Sequence, residues 1–166
     1  MKTIPLTKGY FAKVDNEDYE ELAKVRWQVA LDPRNSDGNP RARRTIYINS
    51  KNRPVLMHRV IMNAKAGQYI DHINRDALDN RKSNLRFCTL SQNQHNRGMS
   101  CNNKSGFKGV SWDKTKKKWR AQIEVNSKVL YLGLFNFKEE AALAYNEAAK
   151  KHFGKFALLN KLTHYL

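Results

Sequence analysis

Between Trp119 and Phe135 two strand-like runs flank an Asn126-Ser127 pair, and an alanine-rich stretch follows almost at once. That order leaves few folds open. Two β runs separated by two turn-forming residues read as a hairpin. A third run, Phe107–Trp112, precedes them. From Phe137 to His152 the spacing predicts a helix, with Asn136 as N-cap and Glu139 as its capping-box partner. Ala141, Ala142, Ala144, Ala148 and Ala149 keep that helix slim enough to lie close on a sheet. The expectation is a three-stranded antiparallel sheet crossed by one helix, over residues 106–166.

The turn fixes the register of the hairpin. With Asn126-Ser127 at the tip, Ile123 pairs with Leu130 and Ala121 with Leu132, facing the helix together with Trp119. Arg120, Gln122 and Glu124 then share the other face with Val129, Tyr131 and Gly133. Arg suits guanine, Gln adenine and Glu the cytosine amino group, so this face has the chemistry to read bases. It is also what any antiparallel sheet turns to solvent. Lys114, Lys116, Lys117 and Lys118 form a basic turn, suited to phosphate or simply solvated. Lys108 and Trp112 complete the candidate nucleic-acid set, Trp112 being equally eligible for the core.

Residues 69–97 (YIDHINRDALDNRKSNLRFCTLSQNQHNR) carry a second kind of chemistry. They read as strand, Asn-rich loop, strand and helix, the helix opened by a Thr89–Gln92 capping box. Asn93 and Asn96 share a helical face, whereas His95 points elsewhere. Folding the helix back onto the strands sets Asn93 beside Asp71. One anionic and one neutral oxygen suit a hard cation that keeps most positions for water and phosphate, as magnesium does. His72 is then placed to take a proton from water, and its ordinary pKa of ~6.5 suits a base at neutral pH. Such a set is a phosphodiesterase design. Arg75, Arg81, Lys82 and Arg86 surround it, and Arg81 and Arg86 are candidate phosphate contacts. His58, in an expected strand Val55–Ile61, reads as a packing residue or a support to the site.

The charge agrees with a polyanion partner. The chain of 166 residues has 31 Lys and Arg against 15 Asp and Glu, a net +16. The 13 basic and 5 acidic side chains from residue 101 onward leave +8 there. A neutral metabolic enzyme or an acidic solvating tail does not look like this. No apolar run exceeds about seven residues, so no membrane span is expected. No secretory signal is read at the N-terminus. Two cysteines, Cys88 and Cys101, do not make a four-cysteine zinc site, and zinc is not expected.

Asp71-His72, eleven residues, Asn84, eight residues and Asn93 resemble the motif of HNH endonucleases, in the version found in small phage and intron homing enzymes. The strings DHINRDALDNRKSNLR and SQNQHNR are similar to that group as well. The resemblance implies a ββα-metal fold, His72 as general base, Asp71 and Asn93 as metal ligands, and Asn84 as the brace that orients the histidine. It implies one divalent cation, magnesium or manganese. His95 and Asn96 are the other side chains open to a place in the site. Residues 104–160 resemble the ethylene-response-factor (APETALA-type) DNA-binding domain. The resemblance is carried by Gly106-Phe107-Lys108-Gly109-Val110, Trp119-Arg120-Ala121-Gln122-Ile123, Tyr131-Leu132-Gly133 and Ala157-Leu158-Leu159-Asn160. It implies a sheet laid in the major groove of duplex DNA. Ser111, Asp113 and Glu124 stand where the plant domains carry arginines, so their target is not transferred.

Together these readings give an α+β chain. Residues 1–54 form a strand-and-helix extension, 55–98 a ββα nuclease, 99–105 a linker and 106–166 the sheet-plus-helix module. The expected function is a metal-dependent homing-type endonuclease that nicks double-stranded DNA as a monomer in a bacterial or phage-infected cytoplasm. The rival is a non-catalytic DNA-binding regulator with a degenerate nuclease fold.

Overall fold

The computed structural model describes residues 1–31, 39–99 and 102–162. Cys101 lies outside them. The chain divides into two compact units, Met1–Asn93 and Gln94–Leu166.

In the first unit β1 (Lys2–Pro5) and β2 (Phe11–Val14) pair antiparallel. A 3-10 turn at Thr7–Gly9 joins them, with Lys8 and Gly9 at positive φ. Alternation buries Ile4, Ala12 and Val14 on one face. Asp15 precedes α1 (Asn16–Ala23), but its carboxylate does not cap that helix: Oδ2 accepts from the Lys82 backbone N–H at 2.7 Å. β3 (Gln28–Ala30), β4 (Arg41–Ile48) and β5 (Lys51–Leu56) form an antiparallel sheet in that order. Trp27, Met57, Leu22 and Val29 join the strand residues in one core, and the Trp27 indole N–H donates to Leu22 O at 2.8 Å. Burying a side chain such as Met57 contributes about 1.5–3 kcal/mol.

The strand expected over Val55–Ile61 is corrected. β5 ends at Leu56, and Met57–Ile61 is a short helix, α2. A strand would send Arg59 to the same buried face as Met57 and Ile61. The helical turn swings it away, and its guanidinium donates to Gln68 O at 2.6 Å and Lys65 O at 2.8 Å. His58 is therefore a buried helix residue, not a strand residue.

β6 (Tyr69–His72) and β7 (Leu85–Cys88) form a separate antiparallel pair, followed by α3 (Leu90–His95). The expected capping box is present: Gln92 N–H donates to Thr89 Oγ1 at 3.1 Å, and Thr89 N–H to Gln92 Oε1 at 2.9 Å.

In the second unit β8 (Val110–Asp113), β9 (Lys118–Val125) and β10 (Lys128–Phe135) make an antiparallel sheet with β9 central, packed on α4 (Lys138–Phe153). Asn126 and Ser127 both have positive φ, 51° and 61°, as a type I′ turn demands. Leu130 pairs with Ile123, but beyond Tyr131 a bulge shifts the register. Ala121 therefore faces Gly133, whose φ is 138°, rather than the expected Leu132. The extra residue, Leu132, packs toward the helix. α4 also begins one residue late: Phe137 is the N-cap and Glu140 its partner, displacing the expected Asn136 and Glu139. That phase puts Ala141, Ala142, Tyr145 and Ala149 in the core. Gly109 has φ 76°, and a Cβ there would lie 2.1 Å from the Tyr145 ring, so this position needs glycine. The fold is α+β, with small antiparallel sheets and few helices, as the sequence indicates.

Candidate functional site

The β6–β7 hairpin puts Asp71 opposite Arg86 and His72 opposite Leu85. Asp71, His72 and Asn84 are all buried. The loop between the strands is closed by Asn84. Its Nδ2 donates to Asp79 O at 2.8 Å, and its Oδ1 accepts from Asn74 N–H at 3.0 Å. Its main chain adds Ile73 N–H to Asn84 O at 2.9 Å. Asp79, fully buried, accepts from Asn74 Nδ2 and from Arg81 Nε and Nη2. An Asn-rich loop folds here because amide side chains replace the missing strand ladder.

His72 sits among charges of both signs. Burial lowers its pKa, as does Arg41, whereas Asn80, Asp71 and Asp76 raise it. The balance favours the neutral ring. His58 packs edge-on against it with centroids 5.0 Å apart. Burial first, then His72, Arg41 and Arg59, holds His58 down to about 3. His58 is thus a neutral wall beside His72.

Two expected phosphate contacts are committed elsewhere. Arg86 donates from Nε and Nη2 to Asp71 Oδ2, at 2.8 and 2.6 Å. The two residues face each other across the strands, so the pair follows from register. Arg81 is bound to Asp79 at 2.7 and 2.6 Å. Carboxylates two positions away in sequence, or directly opposite, capture these guanidiniums more readily than solvent does. Lys82 likewise reaches Glu17 at 2.6 Å and Asp18 at 3.0 Å.

A cation fits this donor set. Among the described residues no three His, Cys, Asp or Glu side chains cluster for a metal. An ion beside Asp71 would take its other ligands from neutral oxygens, water and phosphate, as a hard divalent cation can. A carboxylate offers about four lone-pair positions, so Asp71 can hold Arg86 and still ligate. Asn93 is half-buried on α3, its backbone N–H bonded to Thr89 O at 3.0 Å. His95 stacks on Phe153, with centroids 3.7 Å apart, and so belongs to the packing of the second unit. Asn96 is buried there too.

On the second unit the outer face of β9 and β10 carries Arg120, Gln122, Glu124 and Tyr131, as expected, and Lys118, expected in the basic turn, begins β9 on the same face; of these only Gln122 is half-buried. The Arg120 guanidinium lies 5.4 Å from the centre of the Tyr131 ring. Lys116 is exposed in the turn, whose shape comes from Asp113 accepting from the Thr115 and Lys116 N–H groups. Two expectations are corrected. Trp112 pairs directly with Trp119, so it lies on the helix side of the sheet, at its edge. Lys108 spends its ammonium on the carbonyls of His95 and Arg97, both at 2.7 Å.

Sequence reasoning missed one basic surface. β3 pairs only with Arg41–Arg43, so from Arg44 to Ile48 and Lys51 to Val55 the chain is a two-stranded ribbon. Tyr47 is 72% exposed on it, and Arg41, Arg43, Lys51 and Arg53 are exposed as well. The signal was available: residues 38–70 hold seven Lys and Arg and no Asp or Glu.

Residues 55–95 match the HNH endonuclease family, and residues 105–155 match the AP2 domain. A protein named as an uncharacterized HNH endonuclease of Acanthamoeba polyphaga mimivirus is 30% identical over 160 residues, covering 93% of this chain and 77% of its own length. Protein 3.8 of Escherichia phage T7 is 33% identical over 91 residues, 55% of this chain and 74% of its own. No solved structure gives a significant match.

Proposed function

This chain belongs to the HNH endonuclease family, a nuclease acting on DNA with an AP2 domain attached, and from that premise we propose a metal-dependent homing-type enzyme that nicks duplex DNA. The observation that carries the proposal is the burial of Asp71 and His72 side by side at the end of β6, with Asn84 closing the loop beside them.

His72 is the general base. Its burial favours the neutral ring, which is the form that takes a proton from an attacking water. Asp71 and Asn93 would hold one divalent cation, magnesium or manganese; when bound it supplies charge stabilisation to the phosphate and the leaving oxygen. Arg86 fixes the Asp71 carboxylate through Oδ2. Asn84 fixes the loop that ends at His72's strand. In this reading residues 55–98 carry the chemistry, 1–54 brace it, and 106–166 hold the duplex through Arg120, Gln122, Glu124, Tyr131, Lys116 and Lys118.

The β4–β5 ribbon adds a second grip, since a two-stranded ribbon is narrow enough for the major groove. One centre per chain supports a nick by a monomer. No helix among the described residues is long and apolar enough to cross a membrane, and the proposed workplace is the cytoplasm of a bacterial or phage-infected cell.

The test is digestion of supercoiled plasmid carrying candidate target DNA, with magnesium, with EDTA, and with His72→Ala. Open circles should precede any linear product, and both controls should stay supercoiled. Linear DNA without open circles would refute nicking, and cutting in EDTA would refute the metal.

A further inference from the structure

The open end of the β6–β7 hairpin carries a groove that the hydrolytic residues leave unused. It has a volume of about 500 Å³, and Gln68, Tyr69, Phe87, Cys88, Leu90 and Gln92 line it. Tyr69, Phe87 and Leu90 are 44, 45 and 53% exposed. Single apolar side chains on a surface are ordinary, whereas three gathered on one concavity mark a binding surface.

Register ties this groove to the nuclease centre. Tyr69 pairs with Cys88, and Asp71 with Arg86. Alternation puts these four side chains on the same face of the hairpin. Two residues of β6 separate Tyr69 from Asp71, a span of ~7 Å at the rise of a strand. The same span covers two nucleotide steps at ~3.4 Å each. A DNA strand that follows β6, with its scissile phosphate at Asp71, therefore brings a neighbouring nucleotide to Tyr69.

The chemistry of the groove suits a nucleobase. Residues 38–70 and 80–112, which supply all of its lining, hold no Asp or Glu. No carboxylate there repels a phosphate backbone. Tyr69 offers an aromatic face on which a base can stack. Gln68 Oε1 accepts from Lys65 N–H at 2.7 Å, and Gln92 Oε1 from Thr89 N–H at 2.9 Å. With both oxygens engaged, these side chains offer their NH2 groups as donors. Guanine O6 and N7 and thymine O4 are the matching acceptors. A base held in the duplex stack cannot enter a concavity, whereas one turned out of the stack can.

We propose that this groove receives one unstacked nucleobase, one or two nucleotides from the scissile phosphate, with Tyr69 stacking on it and Gln68 and Gln92 donating to it. The base is guanine or thymine, which present the acceptors these amides need. This deepens the nuclease reading and rests on it, because that reading sets the scissile phosphate at Asp71.

The experiment measures, in EDTA, the affinity of the full chain and of Tyr69→Ala for the target duplex and for copies made abasic at successive positions across the nick. On the intact duplex Tyr69→Ala should bind about ten-fold more weakly. On the copy abasic at one position, within two nucleotides of the nick, the two chains should bind alike, and on the other copies the gap should remain. Tyr69→Phe should keep wild-type affinity, and Tyr69→Ala its melting temperature. Equal affinity of wild type and Tyr69→Ala on intact DNA overturns the proposal. So does a gap that persists on every abasic copy, because Tyr69 would then touch the backbone or serve the fold alone. If Tyr69→Ala does not fold, Cys88 supplies a second measurement. The chain has two cysteines, so in Cys101→Ser only Cys88 can capture a disulfide-tethered base. Capture should peak at that one position, and even capture at every position, or none, overturns the proposal. Should the wild-type chain bind duplex yet cut nothing, the nuclease reading fails, and the abasic scan over the whole bound duplex still decides whether one base enters the groove.

Discussion

The β6–β7 hairpin and the outer face of β9–β10 use polar side chains in opposite ways. In the hairpin the buried ones are bound to their neighbours: Asp71 to Arg86, Asp79 to Arg81 and Asn74, Asn84 across the loop. On the sheet face Lys118, Arg120 and Glu124 stand in water, with a cation–π contact between Arg120 and Tyr131. Hydrolysis needs reacting groups held still before substrate arrives. Base readout needs donors and acceptors that water alone occupies until DNA replaces it. The same residue types are therefore tied to one another in one place and turned to solvent in the other.

Substitutions of two arginines should pull the regions apart most. Arg86→Ala strips the guanidinium from a buried carboxylate and should destabilise the first unit by about 3 kcal/mol, read as a fall in its unfolding midpoint. A change below half a kilocalorie would place Arg86 with the solvated charges instead.

Acid should separate the regions next. The His58 imidazole is neutral in the folded chain down to about 3, while the unfolded chain protonates near 6.5. Between those values the unfolded state binds the extra proton, so stability is full above pH 6.5 and is lost as pH falls. From pH 7 to 5 the loss is about 2 kcal/mol. Urea midpoints at both pH values should show it, and His58→Leu should remove that part of the slope. An unchanged slope would contradict a neutral His58.

Arg120→Ala should behave conversely. Stability should stay within about 0.5 kcal/mol, while target affinity drops by about 1–3 kcal/mol. Equal loss on random DNA would demote this face from reader to anchor. The smallest effect belongs to the ribbon: Arg53→Ala should lower the salt slope of duplex binding by about one, with little dependence on sequence. An unaltered slope would remove the ribbon from the interface.

The contrast also explains what could be read in advance. Turn chemistry was legible at Asn126-Ser127, and capping chemistry at Thr89 and Gln92, because each is decided by a few adjacent residues. The α+β class followed from those local patterns. Register beyond Tyr131 was not legible, since a bulge depends on what Leu132 meets on the helix. Nor was the helical turn at Met57–Ile61, which is settled by where Arg59 finds its carbonyls. The HNH family was recognisable from the spacing of Asp71, His72, Asn84 and Asn93. The commitments of Arg81, Arg86 and Lys108 were not, because a basic side chain near a site is spent on whichever acceptor the fold brings close. Arg41 escaped for the opposite reason: it lies thirty-one residues before His72 in sequence, and only β4 brings its charge to bear on that ring.

The central claim is that cutting and holding are carried by different residues. Its most direct test measures both on one target duplex for the wild-type chain, His72→Ala and Arg120→Ala. His72→Ala should bind as the wild type does and lose at least ~100-fold in magnesium-dependent cleavage. Arg120→Ala should bind more weakly yet cut at the wild-type rate once DNA is saturated. Cleavage retained in His72→Ala, or lost in saturated Arg120→Ala, would contradict the account.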